Sequence, residues 1–338
     1  MVRHRSAYQS FTQWFRHHRI NGAVSWWWGA PASRARGIFV VNTQPTDVVF
    51  ETDGLTYRGL AWGDARKPLV FAIHGWLDNA LSFAVLAPLL PDYYVISIDL
   101  SGHGLSSHRS PDANYHVWDD IPQLVGIIDQ MGVDGAHIVG HSRGAAVAGM
   151  FAVALGERCL SLTMLDGMIS RSFESDDGAA LFRTSLAERK KYMARPPRIF
   201  ESVEHFIDSR SRYGFTRENA EVLVPRALRR VDEGWLLLSD PKLFGSSTIK
   251  MSEETSDSLY RAMNFPVAAI TGDAGFFTSD DAQERIAGVA DLAPNFHQLV
   301  LAGPHHFHME GDVASLALTL TRFFETGELL TDLLEQAS

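Results

Sequence analysis

Residues 136–144 read Ala-His-Ile-Val-Gly-His-Ser-Arg-Gly, and this stretch decides the fold. The apolar pair Ile138-Val139 predicts a short buried strand, and the small residues that follow Gly144 predict a helix. A sharp turn from strand to helix needs glycine on both sides of the central residue, because side chains there would collide with neighbouring backbone. The sequence therefore predicts that Ser142 stands in a strained G-x-S-x-G turn at a helix N-terminus, where free N–H groups favour negative charge.

A serine is a weak nucleophile on its own, so this hypothesis requires a base, an acid and an oxyanion hole. Residues 70–79 read Val-Phe-Ala-Ile-His-Gly-Trp-Leu-Asp-Asn, which predicts a second buried strand ending in His-Gly. With this type of turn, the oxyanion is bound by one N–H from the loop after such a strand and one from the residue after the nucleophile. We therefore predict that the backbone amides of Trp76 and Arg143 form the oxyanion hole. The alternative is that Gly75 only turns the chain.

A third buried strand is predicted within residues 94–107, which read Tyr-Val-Ile-Ser-Ile-Asp-Leu-Ser-Gly-His-Gly-Leu-Ser-Ser. It leads into a loop rich in glycine. We interpret Asp99 and His103 as residues that organise this loop by hydrogen bonds rather than as residues that act on a substrate.

Taken together, these motifs resemble the α/β-hydrolase superfamily. They are, in chain order, His74-Gly75, Asp99 with Gly102-His103-Gly104, and Gly140 to Gly144. Two longer runs, residues 74–79 and residues 102–109, are similar to the serine hydrolase-like branch of that superfamily. The resemblance covers residues 45–170 and 265–325. It implies an α/β fold with a mostly parallel central sheet, helices on both faces and an inserted helical cap.

The resemblance also implies a histidine base after the last strand, followed shortly by a glutamate. Residues 296–303 predict that strand, and three histidines come directly after it. The spacing from His305 to Glu310 fits the superfamily, so His305 is the predicted base and His306 the reserve. We expect His308 to be packed or hydrogen-bonded in the loop.

Three histidines within four residues also raise the question of a metal site. The pattern lacks the usual zinc spacing, and a zinc site would need further acidic or cysteine ligands nearby. We therefore predict neither a metal nor a cofactor.

Two aspartates compete for the role of the acid. Asp166 ends the strand after the nucleophile helix, and Asp273 ends the next core strand. The resemblance implies that either strand end can reach the histidine. Its commoner arrangement puts an aspartate three residues after the strand-end glycine, where this chain has Gly275. We favour Asp166 and keep Asp273 as the alternative, and we expect the other carboxylate to be solvated or to cap a loop.

The composition predicts a packed core rather than disorder. The chain has 338 residues, of which 46% are hydrophobic and 11% aromatic, enough for one main domain with an insertion. Cys159 is its single cysteine, which excludes an intrachain disulfide and suits a reducing compartment, so we expect a cytoplasmic location. No apolar run approaches the length of a membrane span.

Charge is distributed unevenly along the chain. Residues 1–46 carry six arginines and no acidic residue, whereas the net charge of the whole chain is −10. Residues 171–264 carry 16 basic and 15 acidic residues, so the remaining parts of the chain are strongly acidic. An acidic body argues against nucleic acid as a partner.

The charge-dense middle, residues 171–264, has helical periodicity and is predicted to be the inserted cap. Candidate helices lie near residues 178–193, 200–211, 216–229 and 252–263. The cap would divide the hydrolase core into residues 41–170 and 265–338. In the superfamily such caps sit over the nucleophile and shape the substrate pocket.

Residues 1–40 form a predicted N-terminal extension. The aromatic residues within it fall at helical spacing, and basic residues follow them. We favour an extension that packs on the body of the protein. The alternatives are peripheral contact of residues 1–30 with an anionic membrane surface, or an export signal.

The expected function is hydrolysis of a small-molecule carboxylic ester, or a related acyl bond, through a serine acyl-enzyme. Haloalkane dehalogenases and epoxide hydrolases of this fold carry an aspartate at the nucleophile position, so Ser142 argues against both. Lactonases and carbon–carbon bond hydrolases of this fold have a serine at the nucleophile position, so both activities remain alternatives. A binding protein without turnover also stays open, because fold does not fix function.

Overall fold

A computed structural model describes residues 44–169, 178–247 and 250–329. Its main element is an eight-stranded sheet with the strand order β1-β2-β4-β3-β5-β6-β10-β11. The strands are β1 (Thr46–Thr52), β2 (Leu55–Trp62), β3 (Leu69–Ile73), β4 (Tyr94–Ile98), β5 (Ala136–His141), β6 (Cys159–Leu165), β10 (Val267–Ala274) and β11 (Phe296–Pro304). The first two pair antiparallel with each other, and β2 pairs antiparallel with β4. All other pairs are parallel, which confirms the predicted fold class.

Helices cover both faces of this sheet. In the described part of the chain they are α1 (Ile121–Met131), α2 (Arg143–Leu155), α3 (Gly178–Met193), α4 (Val203–Ser211), α5 (Arg217–Ala227), α6 (Glu253–Arg261), α7 (Asp280–Ala290) and α8 (Val313–Thr326). Short 3-10 helices lie at Ala80–Phe83, Ala87–Leu89, Gly156–Arg158 and Pro241–Phe244. Among the residues described, no helix is long and apolar enough to cross a membrane.

The sheet is buried on both faces because its central strands are mostly apolar. All five residues of β3, Leu-Val-Phe-Ala-Ile, are buried. Alternate residues of such a strand point to opposite faces. Val70 accordingly joins the apolar cluster that includes α8, while Phe71 joins the cluster that includes α1, α2 and α7.

The region predicted as the cap contains the expected helices and also a small sheet that the sequence analysis missed. The helices α3 to α6 lie within or close to the four predicted ranges. The additional sheet has the order β7-β9-β8 and is antiparallel, with strands Ile199–Phe200, Gly234–Leu237 and Leu228–Val231. The predicted helix 216–229 stops early because Leu228 has extended backbone and begins β8. Among these helices, α6 packs Tyr260 into the same apolar cluster as Phe71 of the sheet, which is a contact expected of the core rather than of a cap. The predicted cap boundaries, residues 171–264, therefore stay a prediction.

Parts of each predicted domain fall outside the described residues. They are the N-terminal extension, residues 1–40, residues 41–43, 170 and 330–338 of the predicted core, and residues 171–177 and 248–249 of the predicted cap.

Two buried ion pairs join the cap region to the loops at the carboxyl ends of β3 and β4. Arg226 of α5 lies 2.7 Å from the carboxylate of Asp99, and Arg210 of α4 lies 2.6 Å from that of Asp78. None of these four side chains is more than 5% exposed. Asp99 also accepts hydrogen bonds from the amides of Ala80 and Leu105, which agrees with its predicted role in organising the loop. Charges this deeply buried are tolerated because each has its partner.

We therefore expect Arg226→Met to destabilise the fold by about 3–5 kcal/mol, because it leaves the Asp99 carboxylate buried without its partner. The free energy of unfolding in urea measures this loss. Arg229→Met is the matched control, since Arg229 is an exposed residue of β8 and its replacement should change stability little. Equal, small losses in the two variants would contradict the account.

Candidate active site

Ser142 lies between β5 and α2 in a backbone conformation that L-residues rarely adopt, with φ +54° and ψ −124°. The two flanking glycines make this turn possible. A Cβ at Gly140 would overlap the carbonyl oxygen of Gly144, and a Cβ at Gly144 would overlap that of His74. Strain of this kind is kept only where the surrounding structure imposes it, and it is common at functional sites. The predicted elbow is therefore the geometry observed.

Three of the predicted site residues form one hydrogen-bonded row. The Nε2 atom of His305 lies 3.0 Å from the Oγ atom of Ser142. The Nδ1 atom of the same ring lies 2.5 Å from the Oδ2 atom of Asp166. The Asp166 side chain is fully buried and that of His305 is 8% exposed. The arrangement matches the distances at which a base can take a proton from a serine.

Backbone amides fix the orientation of the Asp166 carboxylate. The amide of Gly272 donates to Oδ1 at 3.1 Å, and the amide of Phe276 donates to Oδ2 at 2.8 Å. With the ring of His305, the carboxylate thus has three donors, one from β10 itself, one from the loop after β10 and one from the loop after β11. A buried carboxylate held by several donors has little freedom to turn.

Gly275 explains why Asp166, and not a residue of the β10 loop, reaches the histidine. A Cβ at Gly275 would overlap the Asp166 carboxylate, so the two positions compete for the same space. Asp273 lies elsewhere: its side chain is exposed and accepts a hydrogen bond from the Gly303 amide at 2.8 Å. It holds the end of β11 and has no hydrogen bond to His305 in the described structure.

Phe276 is a site residue that the sequence analysis missed. Its ring stacks on the imidazole of His305 with 3.7 Å between centroids and 19° between planes. Although it makes this contact, Phe276 is 68% exposed. The only signal in the sequence was its place directly after Gly275.

The remaining histidines pack around the site without joining the row. His308 is buried and lies 2.9 Å from the Oγ atom of Ser82, as expected for a residue hydrogen-bonded in the loop. His306, the reserve base, stacks on Phe215, and no hydrogen bond joins it to Ser142 within the described residues. His141 donates from Nε2 to the backbone carbonyl of His305 at 2.9 Å. Burial lowers the pKa of His306 to about 4 and holds those of His141 and His308 well below the usual value.

One group of histidines is close enough to hold a metal ion. Ring nitrogens of His141, His305 and His306 lie within 4.8 Å of one another. His305, however, uses both of its nitrogens for Ser142 and Asp166. An ion that recruited His305 would have to break one of these hydrogen bonds. The geometry therefore favours the proton-transfer arrangement, and the absence of a functional metal stays a prediction.

The two residues of the predicted oxyanion hole both lie beside the nucleophile. Arg143 begins α2, where the first amides of a helix have no intrahelical partner. Trp76 follows Gly75, at which a Cβ would lie 3.3 Å from that of Ser142. The Trp76 indole donates to the Leu243 carbonyl at 2.9 Å, which ties this loop to the cap region. That the two amides bind an oxyanion stays a prediction.

Comparison with known proteins agrees with this geometry. A family model described as the alpha/beta hydrolase fold matches residues 68–312. The chain belongs to the α/β-hydrolase family. Human serine hydrolase-like protein 2 is 28% identical over 288 residues, covering 80% of this chain and 91% of that protein. A serine hydrolase-like protein of Dictyostelium discoideum is 28% identical over 290 residues, covering 82% and 80%.

A solved structure supports the same conclusion. A hypothetical protein from Pseudomonas aeruginosa PAO1 superposes with a TM-score of 0.76 at 27% identity. The match covers 82% of this chain and 99% of that one. The chain therefore falls in the serine hydrolase-like branch of the α/β hydrolases, as its motifs predicted.

Two buried histidines predict how stability depends on pH. Burial lowers the pKa of both His306 and His137 to about 4, while an unfolded chain has a histidine pKa near 6.5. Between these values the unfolded state binds more protons, so stability falls as the pH falls through this window. We expect each of these two histidines to lower the free energy of unfolding by about 2 kcal/mol between pH 8 and pH 5.

Urea unfolding at the two pH values measures this loss. His137→Gln, which cannot be protonated and lies in β5, should lose correspondingly less stability than the unaltered chain. Identical pH dependence in the two proteins would show that His137 does not titrate as its burial requires.

Proposed function

We propose that this protein hydrolyses a carboxylic ester or a related acyl bond through a serine acyl-enzyme. One observation carries the proposal: Asp166, His305 and Ser142 are hydrogen-bonded in that order, with both nitrogens of the imidazole engaged. Residues of these types in this row activate a serine on several unrelated folds. The membership of the chain in the serine hydrolase-like branch supports the same chemistry.

In the first half of the reaction, the Oγ atom of Ser142 attacks the acyl carbon while Nε2 of His305 takes its proton. Asp166 holds the other nitrogen as N–H and stabilises the imidazolium that forms. The amides of Trp76 and Arg143 would bind the negative oxygen of the tetrahedral intermediate. His305 then gives its proton to the leaving alcohol as the bond between carbon and alcohol oxygen breaks.

In the second half, water replaces the alcohol. His305 takes a proton from the water as its oxygen attacks the acyl carbon, and returns that proton to Oγ of Ser142 as the acid leaves. Phe276, stacked on the imidazole, would keep the ring in plane through both transfers. The reaction needs no cofactor and consumes one water molecule.

Ser142→Ala removes the nucleophile and should reduce ester hydrolysis by about 10⁴-fold or more, because only background stabilisation of the oxyanion is left. The measurement is kcat/KM on p-nitrophenyl esters of graded chain length, together with the thermal transition, which should hardly move. Ser258→Ala, an exposed position on α6, is the control for the loss of a hydroxyl. Activity of Ser142→Ala within about tenfold of the unaltered protein contradicts the mechanism.

The acid is tested by a matched pair of isosteric changes. Asp166→Asn permits the wrong tautomer of His305 and should cost about 10⁴-fold in kcat. Asp273→Asn removes only a negative charge at an exposed position and keeps an oxygen that can accept from the Gly303 amide, so its effect should stay below about tenfold. If Asp273→Asn is the severe change, the proposed role of Asp166 is wrong while the hydrolase mechanism survives.

A further inference from the structure

The cap region contains a pocket whose lining suggests what the substrate carries at its far end. Its volume is about 370 Å³. Prolines, Leu237 and Phe244 form apolar walls, and Arg195, Arg198 and Ser239 supply the polar groups. A mostly apolar pocket with a few polar groups is the usual form of a small-molecule site.

The two arginines belong to a basic segment of an acidic protein. Residues 183–198 contain six basic residues and one acidic residue, while the chain as a whole has a net charge of −10. The acidic residue, Glu188, already accepts a hydrogen bond from the Ser246 amide. Within this segment, basic residues therefore outnumber acidic ones.

Neither arginine of the pocket is neutralised by a carboxylate within the described residues. The Arg198 guanidinium lies 4.1 Å from the centre of the Phe200 ring, and that of Arg195 lies 5.8 Å from the centre of the Tyr192 ring. Stacking on a ring leaves the N–H groups at the edge of a guanidinium available to an oxyanion. Asp240 is the nearest acidic residue in sequence to Ser239, and it is buried against Tyr115 and Lys242.

The wall of the pocket that Phe244 forms adjoins the proposed oxyanion loop. Phe244 of this wall contacts the Trp76 ring edge-on, with 5.5 Å between centroids. The neighbouring Leu243 carbonyl accepts the indole N–H of Trp76. Phe244 thus connects the pocket to the loop in which Gly75 lies close to Ser142.

We propose that this pocket binds the anionic end of the substrate, a carboxylate or a phosphate, through Arg195 and Arg198. The ester or acyl bond of the same molecule would lie at Ser142, so the proposal rests on the function given above. Planar, forked guanidinium groups suit either oxyanion, and Ser239 offers a further donor. The substrate class is then an ester with an apolar linker and a charged far end.

Paired probes test this preference. The probes are p-nitrophenyl esters of linear acyl chains that end in a carboxylate, a phosphate or a neutral carboxamide. We expect kcat/KM to favour a charged probe over the carboxamide by about tenfold or more, because a hydrogen bond to a charged group contributes about 1.5–3 kcal/mol. The preference should weaken as salt is added. The better of the two charged probes identifies the oxyanion.

Two double variants with the same change in charge distinguish binding in the pocket from an effect of the overall electrostatic potential of the protein. Arg195→Gln with Arg198→Gln should raise KM for the charged probes and so abolish the preference. Arg229→Gln with Arg230→Gln, at exposed positions of β8, should preserve it. Arg195→Lys with Arg198→Lys keeps the charge and should retain part of the preference for the charged probe. Equal preference in the two Gln double variants overturns the proposal, as does a wild-type preference for the carboxamide.

Binding without turnover distinguishes failure of this proposal from failure of the proposed function. Calorimetry with linear dicarboxylates and alkyl phosphates uses the Ser142→Ala protein, in which no hydrolysis is needed. Binding that disappears when Arg195 and Arg198 are also changed to Gln supports the pocket even if every ester is left intact. Hydrolysis of neutral esters with no binding of either anion overturns the pocket alone.

Discussion

The fixed position of the Asp166 carboxylate is the constraint on which the rest of the site depends. It joins the carboxyl ends of three strands, because Asp166 directly follows β6 and accepts hydrogen bonds from Gly272 near the end of β10, from Phe276 after β10 and from His305 after β11. Its place is available only because position 275 is glycine. If the carboxylate turned, the imidazole of His305 would lose the partner that directs its other nitrogen to Ser142. The geometry of the nucleophile is therefore set by a contact between residues more than a hundred positions apart.

Buried carboxylates hold the region predicted as the cap in the same way. The carboxyl ends of β3 and β4 lead to Asp78 and Asp99, which pair with Arg210 of α4 and Arg226 of α5. Parallel strands bring their carboxyl ends to one edge, so polar residues there gather at the place where the active site forms. The partner of each carboxylate decides its role. Asp78 and Asp99 pair with arginines and hold the region predicted as the cap, whereas Asp166 pairs with His305 and orients its ring.

The sequence predicts the parts of this structure that depend on local patterns. Apolar runs that end in glycine motifs identified the central strands and the elbow at Ser142, and the resemblance placed the base at His305. The choice between Asp166 and Asp273 stayed open, because it depends on which carboxylate fills the space beside Gly275. The small sheet β7-β9-β8 was missed because strands of two to four residues carry too little periodicity to be recognised. The stacking of Phe276 on the imidazole has no signal in the sequence beyond its place directly after Gly275.

Covalent labelling by a fluorophosphonate tests most directly whether this geometry activates Ser142. The reagent reacts with a serine only when a base has raised its nucleophilicity, and peptide mapping by mass spectrometry locates the adduct. The account predicts one phosphonyl group per chain, on Ser142, formed much faster in the native protein than in the unfolded one. No adduct on Ser142, or labelling that is equally fast after unfolding, would contradict the claim that the row from Asp166 to Ser142 is a working catalytic unit.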